Sequence, residues 1–255
     1  MPEDIRHQNV ISYYNEHVQH KLGDYIKVNP RIEAAWKTFL KFSIKNPPSI
    51  LEIGCGIGSI VNRINRKWPK ATVRGIDISN HSIEIANKLF SNSQVEFLAS
   101  ELKLDTFDQQ FDLIILMDVY EHICIDDRPG FHASIKKLLK NKGRIFLSVP
   151  TPDYLKWLEK NKPENIQPVD EYITIEVVSK LAADTGTDVI SYELKNIWGI
   201  RDYAHIVLEK QENVDEFYTR PKPVTPIQRS LRIFNKGLFT LGSIWRRQHV
   251  RSKMK

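Results

Sequence analysis

The sequence predicts an α/β protein with a doubly wound, mostly parallel sheet, and three observations carry that reading. Short apolar runs alternate with segments whose apolar residues recur at helical spacing, as strands and helices do in such sheets. Glycines at 54, 56 and 58 follow the first run and precede a helical segment, which reads strand, glycine turn, helix. Asp77 closes the second run, at the carboxyl end where open α/β sheets bind their ligands.

Residues 5–36 hold apolar and aromatic side chains without one clean period and read as one or two covering helices, so 1–47 is an N-terminal helical lid. Residues 49–53 are the first strand, and Ser59 opens a helix with Ile60, Ile64 and Trp68 on one side. Residues 71–78, 95–98, 111–117 and 143–149 read as further strands, with helices at 82–90 and 131–139. Right-handed crossovers would put helices on both faces. Residues 150–168 carry prolines at 150, 152, 163 and 168 and are read as an irregular excursion, with a substrate lid spanning 150–172. A helix over 174–185 ends at Gly186, and strands at 188–194 and 204–209 complete a body of residues 48–215. Pro221, Pro223 and Pro226 break the chain within a tail, 216–255.

With 255 residues, 41% hydrophobic and 27% charged, the chain can bury a sizeable core and is neither disordered nor collagenous. Cys55 and Cys124 are too few to staple such a fold, and no charged-then-apolar leader is seen, so a reduced, cytoplasmic protein is expected. No apolar stretch approaches the ~20 residues of a membrane span. The net charge of +6 is unevenly spread: residues 217–255 hold ten basic and no acidic side chains, leaving 27 basic against 31 acidic, or −4, on residues 1–216. In the tail, Ile227, Leu231, Phe234, Leu238, Leu241 and Trp245 form an apolar helical stripe beside Arg229, Arg232 and Lys236. Such a basic amphipathic C-terminal helix suits peripheral contact of residues 227–247 with the inner face of a membrane, docking on the chain's own body, a homodimer contact or an acidic partner such as RNA.

Glycines in a strand-to-helix turn allow a tight bend and close approach of a ligand. The dinucleotide fingerprint needs its third glycine where Ser59 stands, so the spacing is G-x-G-x-G instead. A carboxylate at Asp77 can accept both hydroxyls of a ribose. Together the turn and Asp77 point to a nucleoside ligand.

Five segments, in order, resemble class I S-adenosylmethionine-dependent methyltransferases of the broad small-molecule group. They are Leu51-Glu-Ile-Gly-Cys-Gly-Ile-Gly58, Gly75-Ile-Asp-Ile-Ser79, Val95-Glu-Phe-Leu-Ala-Ser-Glu-Leu102, Phe111-Asp-Leu-Ile-Ile-Leu-Met-Asp-Val-Tyr-Glu-His-Ile123 and Leu138-Leu-Lys-Asn-Lys-Gly-Arg-Ile-Phe-Leu-Ser-Val-Pro150. The likeness covers residues 48–150 and runs more loosely to 210. It implies a seven-stranded sheet with an antiparallel last strand, S-adenosyl-L-methionine as cofactor and S-adenosyl-L-homocysteine as product. By position, Gly54, Cys55, Gly56 and Gly58 would meet the methionine end, with Glu52 supporting its amino group. Asp77 would bind the ribose, with Ile78 beside it. Glu101, where the family usually has Asp, would hold the adenine amino group, Leu102 would offer a backbone amide, and Asp118 would stand near the sulfonium.

The implied reaction is in-line attack on the sulfonium methyl group, in which positioning supplies much of the catalysis. A hydroxyl acceptor must also lose a proton, and His122, after the fourth strand, is the candidate general base; the alternative is that it only shapes the pocket. Tyr13, Tyr14 and His17 are candidates to line a lid or to pack as an ordinary amphipathic helix. Asp170, Glu171, Tyr203 and His205 fall where the resemblance implies acceptor contacts, and Trp157 would shape the substrate. The expected function is methyl transfer to a hydroxyl of a small molecule or sugar, in glycan or secondary-metabolite synthesis. An amine acceptor is the alternative, and a non-catalytic cofactor-binding scaffold is a third class. A nucleic-acid substrate is disfavoured, since Asp118-Val119-Tyr120-Glu121 lacks the two prolines of the adenine N6 motif. No metal site is recognisable in the sequence.

Overall fold

The computed structural model describes residues 12–15, 18–27 and 29–211. The chain divides into two compact units, Met1–Gln211 and Glu212–Lys255. The second unit, with the stripe at 227–247, lies outside the described residues, as does His17.

In the first unit, residues 12–15 are helical and precede helices α1 (Val18–Ile26) and α2 (Pro30–Phe42). Asn29 caps α2 by accepting from the Arg31 amide at 3.0 Å, and Pro30 occupies the first turn, where no amide donor is needed. There follow β1 (Ser49–Ile53), α3 (Ser59–Lys67), β2 (Thr72–Asp77), α4 (Asn80–Phe90), β3 (Val95–Ala99) and β4 (Phe111–Met117). Two 3₁₀ turns, Tyr120–His122 and Ile125–Asp127, lead into α5 (Arg128–Leu138) and β5 (Leu139–Pro150). Helix α6 (Pro152–Asn161), helix α7 (Ile175–Thr185) and strands β6 (Thr187–Lys195) and β7 (Tyr203–Lys210) complete the unit.

The seven strands run in the order β3-β2-β1-β4-β5-β7-β6. All pair in parallel except β7, which is antiparallel to both β5 and β6. This is the expected sheet. Because both faces are covered, the central strands are near-continuous apolar runs whose side chains alternate between two cores. Leu51, Ile114 and Leu147 face one core with Ile135 and Leu138 of α5 and Leu181 of α7. Ile50, Ile115 and Phe146 face the other with Phe39 of α2 and Ile60 and Ile64 of α3. The strand order reverses between β1 and β4, and the carboxyl ends there form the crevice that such sheets use for ligands.

Of the irregular excursion the prolines predict at 150–168, residues 152–161 are instead a helix, and residues 162–168 are irregular apart from a 3₁₀ turn at Pro163–Asn165. Pro152 sits in the first turn of α6, where a missing amide is harmless, and Thr151 caps that helix by accepting from the Tyr154 amide at 3.4 Å. Leu155 and Leu158 bury its inner face. Strand β5 also starts four residues before the glycine expected to open it, with a register irregularity between Phe111 and Leu113 of its neighbour.

A buried polar chain ties the 3₁₀ turn after β4 to the helices below it. His132 Nδ1 lies 2.7 Å from Asp184 Oδ2, and an ionised carboxylate can only accept, so Nδ1 carries the proton and Nε2 accepts from Tyr120 O–H at 2.9 Å. Burial keeps the His132 imidazole below its ordinary pKa and therefore neutral. Replacing Tyr120 by Phe strands a buried acceptor and is expected to destabilise the fold by about 1–3 kcal/mol in urea unfolding. An unchanged midpoint would show that this chain does not hold the turn.

Candidate functional site

Three loops meet at the carboxyl edge. The first runs from β1 to α3, with φ of 70° at Gly54, 53° at Gly56 and 82° at Gly58. A Cβ at Gly54 would lie 2.3 Å from Val119 Cγ2, so the loop can pass the turn after β4 only as glycine. Asp77 ends β2 beside it, its Oδ2 accepting from the Gly56 amide at 2.7 Å and its Oδ1 from the Ser79 amide at 2.9 Å. Lys21 of α1, unsuspected from the sequence, stands over this cleft with its ammonium 3.7 Å from Asp77 Oδ2.

Glu52 is the next-to-last residue of β1, where every residue is buried. Burial holds its carboxyl well above the usual carboxylate range, against the opposing backbone hydrogen bond from Val61. Its Oε2 is buried without a hydrogen-bond partner among the described atoms. An orphaned acid at the floor of a glycine cradle is the arrangement that a ligand's ammonium would complete, so these residues fit the amino-acid end of the cofactor that the resemblance implies. Cys55 packs: its thiol is buried, and burial raises its pKa, with Glu52 and Asp77 adding to the rise. Glu101 follows β3 with its side chain about one-third exposed and 3.8 Å from Lys103 Nζ, while Leu102 packs against the core.

The second group follows β4. Asp118 has φ 56° and pairs with Arg31 Nη1 at 2.7 Å. Arg31 shares the face of α2 that carries Ala35 and Phe39, so an arginine heading an apolar stripe was the signal available in the sequence. Burial would lower its pKa, but Asp118 and then Tyr203 outweigh that and raise it.

Glu121 and His122 form the turn itself. His122 Nδ1 lies 2.7 Å from the Val169 carbonyl oxygen and 3.1 Å from Asp170 Oδ1. Both neighbours can only accept, so Nδ1 carries a proton. Nε2 is left toward the site, 3.8 Å from Glu121 Oε1. Burial alone would lower the imidazole pKa, yet Glu121, Asp170 and Val169 together raise it above the ordinary histidine value. Glu121 is fully buried and moves up in turn, desolvation outweighing the attraction of His122.

Arg31, Asp118, Glu121, His122 and Asp170 line a cavity of about 180 Å³ together with Tyr154, Asn165, Gln167, Trp198 and Tyr203. Tyr14 reaches its edge, donating to Gln167 Oε1 at 2.9 Å with its ring centroid 6.2 Å from that of His122. Asn15 meets the cleft on the other side, accepting from Ser79 Oγ at 2.7 Å. Of the acceptor contacts expected from the sequence, Asp170 and Tyr203 line the cavity. His205 does not: it is buried in the core on β7, its Nδ1 2.8 Å from Thr38 Oγ1 and its ring against Phe146. Glu171 also lies outside the lining, and its amide donates to the Glu121 carbonyl at 2.8 Å. Among the described residues no group of three or more His, Cys, Asp or Glu side chains is arranged to hold a metal ion.

Residues 14–205 match the methyltransferase domain family. A malonyl-[acyl-carrier protein] O-methyltransferase of Priestia megaterium is 33% identical over 103 residues, which are 39% of this chain and 36% of that protein. The corresponding enzyme of Acetivibrio thermocellus is 28% identical over 124 residues, 49% of this chain and 43% of that protein, so the chain spans under half the length of these relatives. A phosphoethanolamine N-methyltransferase of Plasmodium falciparum is 26% identical over 235 residues, 88% of this chain and 80% of that protein. Among solved structures, the N-methyltransferase NodS of Bradyrhizobium japonicum, in complex with S-adenosyl-L-homocysteine, superposes with a TM-score of 0.62 at 15% identity, covering 78% of this chain and 99% of that one. The magnesium protoporphyrin IX methyltransferase of Synechocystis gives 0.59 at 16% identity, covering 81% and 100%. At these identities the structural likeness is one of fold.

The buried pair yields a pH dependence of stability. Glu121 and His122 both have folded pKa values above their unfolded ones, so the folded state binds more protons and stability falls as pH rises through the raised values. Between about pH 6 and about pH 9 the unfolding free energy should decline, and Glu121→Gln should flatten that decline. An equally steep slope in the variant would contradict the assignment.

Proposed function

Since the chain belongs to the methyltransferase domain family, we propose that it moves the methyl group of S-adenosylmethionine to a hydroxyl oxygen of a small molecule or sugar, with His122 as general base. The cofactor supplies a sulfonium methyl group open to in-line attack. Glu52 pairs with its ammonium, the glycine loop approaches its amino-acid end, Asp77 accepts from its ribose, and Glu101 with the Leu102 amide serves its adenine. The acceptor oxygen forms the new bond to carbon as the sulfur–carbon bond breaks, and the hydroxyl proton passes to His122 Nε2.

The observation that carries the reading is the Asp170–His122 pair at the cavity wall. Nδ1 is fixed as a donor by Asp170 and Val169, which orients the ring and leaves Nε2 for the acceptor. The same carboxylates keep His122 protonated at neutral pH, so only the deprotonated fraction works. The rate should therefore rise toward alkaline pH. Asp170→Asn should move that limb to lower pH while lowering the maximal rate.

The second reading is an amine acceptor, favoured by three carboxylates, Asp118, Glu121 and Asp170, around one small cavity. A neutral amine needs little base assistance. His122→Ala separates the two: turnover of a hydroxyl acceptor should drop by about 10²–10⁴, measured by mass shift of the product. Near-normal turnover, with the methyl group on nitrogen, would favour the amine.

A further inference from the structure

At the mouth of the cavity, the loop of residues 196–202 holds two large apolar side chains out to water. Trp198 is 55% exposed and Ile200 87%. Trp198 also lines the cavity, meeting the buried Tyr203 edge-on with ring centroids 5.8 Å apart. The loop is braced rather than slack. The buried Asp202 carboxylate accepts from the amides of Ile197 at 2.8 Å, Trp198 at 2.7 Å and Gly199 at 3.0 Å. Thr151 Oγ donates to the Arg201 carbonyl at 2.8 Å, and the Arg201 amide donates to Asn196 Oδ1 at 2.8 Å. A buried charge spent on fixing an exposed tryptophan and isoleucine means that their outward position is built in.

We infer that loop 196–202 is a membrane-contacting element, and that the acceptor is an amphipath drawn from an anionic lipid surface, its polar head entering the cavity and its apolar remainder passing Trp198 and Ile200. The inference rests on the cavity being the acceptor site. Three features select a lipid surface. Tryptophan, with an apolar body and one polar N–H, suits the boundary between headgroups and acyl chains. Arg201, exposed beside Ile200, is a cation at headgroup level. Independently, the sequence of residues 227–245 carries an apolar stripe among basic side chains and residues 217–255 have no acid, the composition that anionic bilayers attract. The cavity wall sets Arg31, three carboxylates and two amides beside Pro150, Leu155 and Leu158, so it offers partners to a polar headgroup, while an acyl chain filling it would leave those charged groups unsatisfied.

The test uses the full chain loaded with S-adenosyl-L-homocysteine and vesicles of equal parts phosphatidylcholine and phosphatidylglycerol, with pure phosphatidylcholine as comparison. Co-sedimentation should be strong on the anionic vesicles and weak on the neutral ones. Trp198→Ala combined with Ile200→Ser should weaken it about tenfold or more, and Ile200→Ser alone, outside the cavity lining, should weaken it measurably. Cofactor affinity should stay at the parent value in both variants, and the thermal midpoint should stay at the parent value in Ile200→Ser, whose side chain is 87% exposed. No vesicle binding by the parent, or equal binding by parent and double variant, would overturn the inference. A lowered thermal midpoint with unchanged vesicle binding would also overturn it, showing that the chain itself covers the loop. Loss of the hydroxyl reading is separable, because it shows as methyl transfer to nitrogen without any change in vesicle binding.

Discussion

Everything functional in this chain follows from one constraint: a parallel sheet covered on both faces leaves only its edges and strand ends for chemistry. Alternate residues of β1, β4 and β5 face two separate cores of buried apolar side chains. The glycine loop, Asp77 and the 118–122 turn therefore gather where the strand order reverses. Even Glu52, inside the wholly buried strand that leads into the glycine loop, keeps one oxygen without a hydrogen-bond partner among the described atoms, which is the reason its burial is informative rather than merely unfavourable. Helix α2 adds Arg31 to the same edge, and the ion pair with Asp118 binds the N-terminal helices to the site.

Electrostatics divides the edge into two chambers. On the β1–β2 side the polar groups are the Gly56 amide and the Lys21 ammonium, both turned to the Asp77 carboxylate. On the β4 side, three carboxylates, one arginine and one imidazole crowd a small cavity. Burial raises Glu121 against the attraction of His122, while Glu121 and Asp170 raise His122 against its own burial. His122 has one nitrogen committed to Asp170 and Val169 and the other 3.8 Å from Glu121 Oε1, which fixes the direction of its ring.

The sheet was legible because buried parallel strands are continuous apolar runs ended by glycine or acid, and 49–53, 111–117 and their neighbours have that form. Asp77 and the glycine loop were legible because their spacing is local. Residues 150–168 were misread because prolines signal breaks, whereas Pro152 fits a first helical turn once Thr151 supplies the cap. Arg31 and Trp198 are absent from the sequence reading: the only local mark of Arg31 is its place at the head of an apolar stripe, Trp198 stands in a loop of no recognisable motif, and only folding brings the two to one cavity. His205 shows the converse. It lies two residues from Tyr203 on the same strand and so on the same face, yet it sits deeper, held by Thr38 and Phe146 in the core, while Tyr203 meets the cavity.

The claim on which the rest depends is that the β1–β2 cleft is a cofactor site, and calorimetric titration with S-adenosylmethionine tests it most directly. The full chain should bind saturably, and Asp77→Ala and Glu52→Gln should each weaken binding about tenfold or more, since each removes a charged partner. No heat of binding from a folded parent chain, or equal affinity in both variants, would contradict the account.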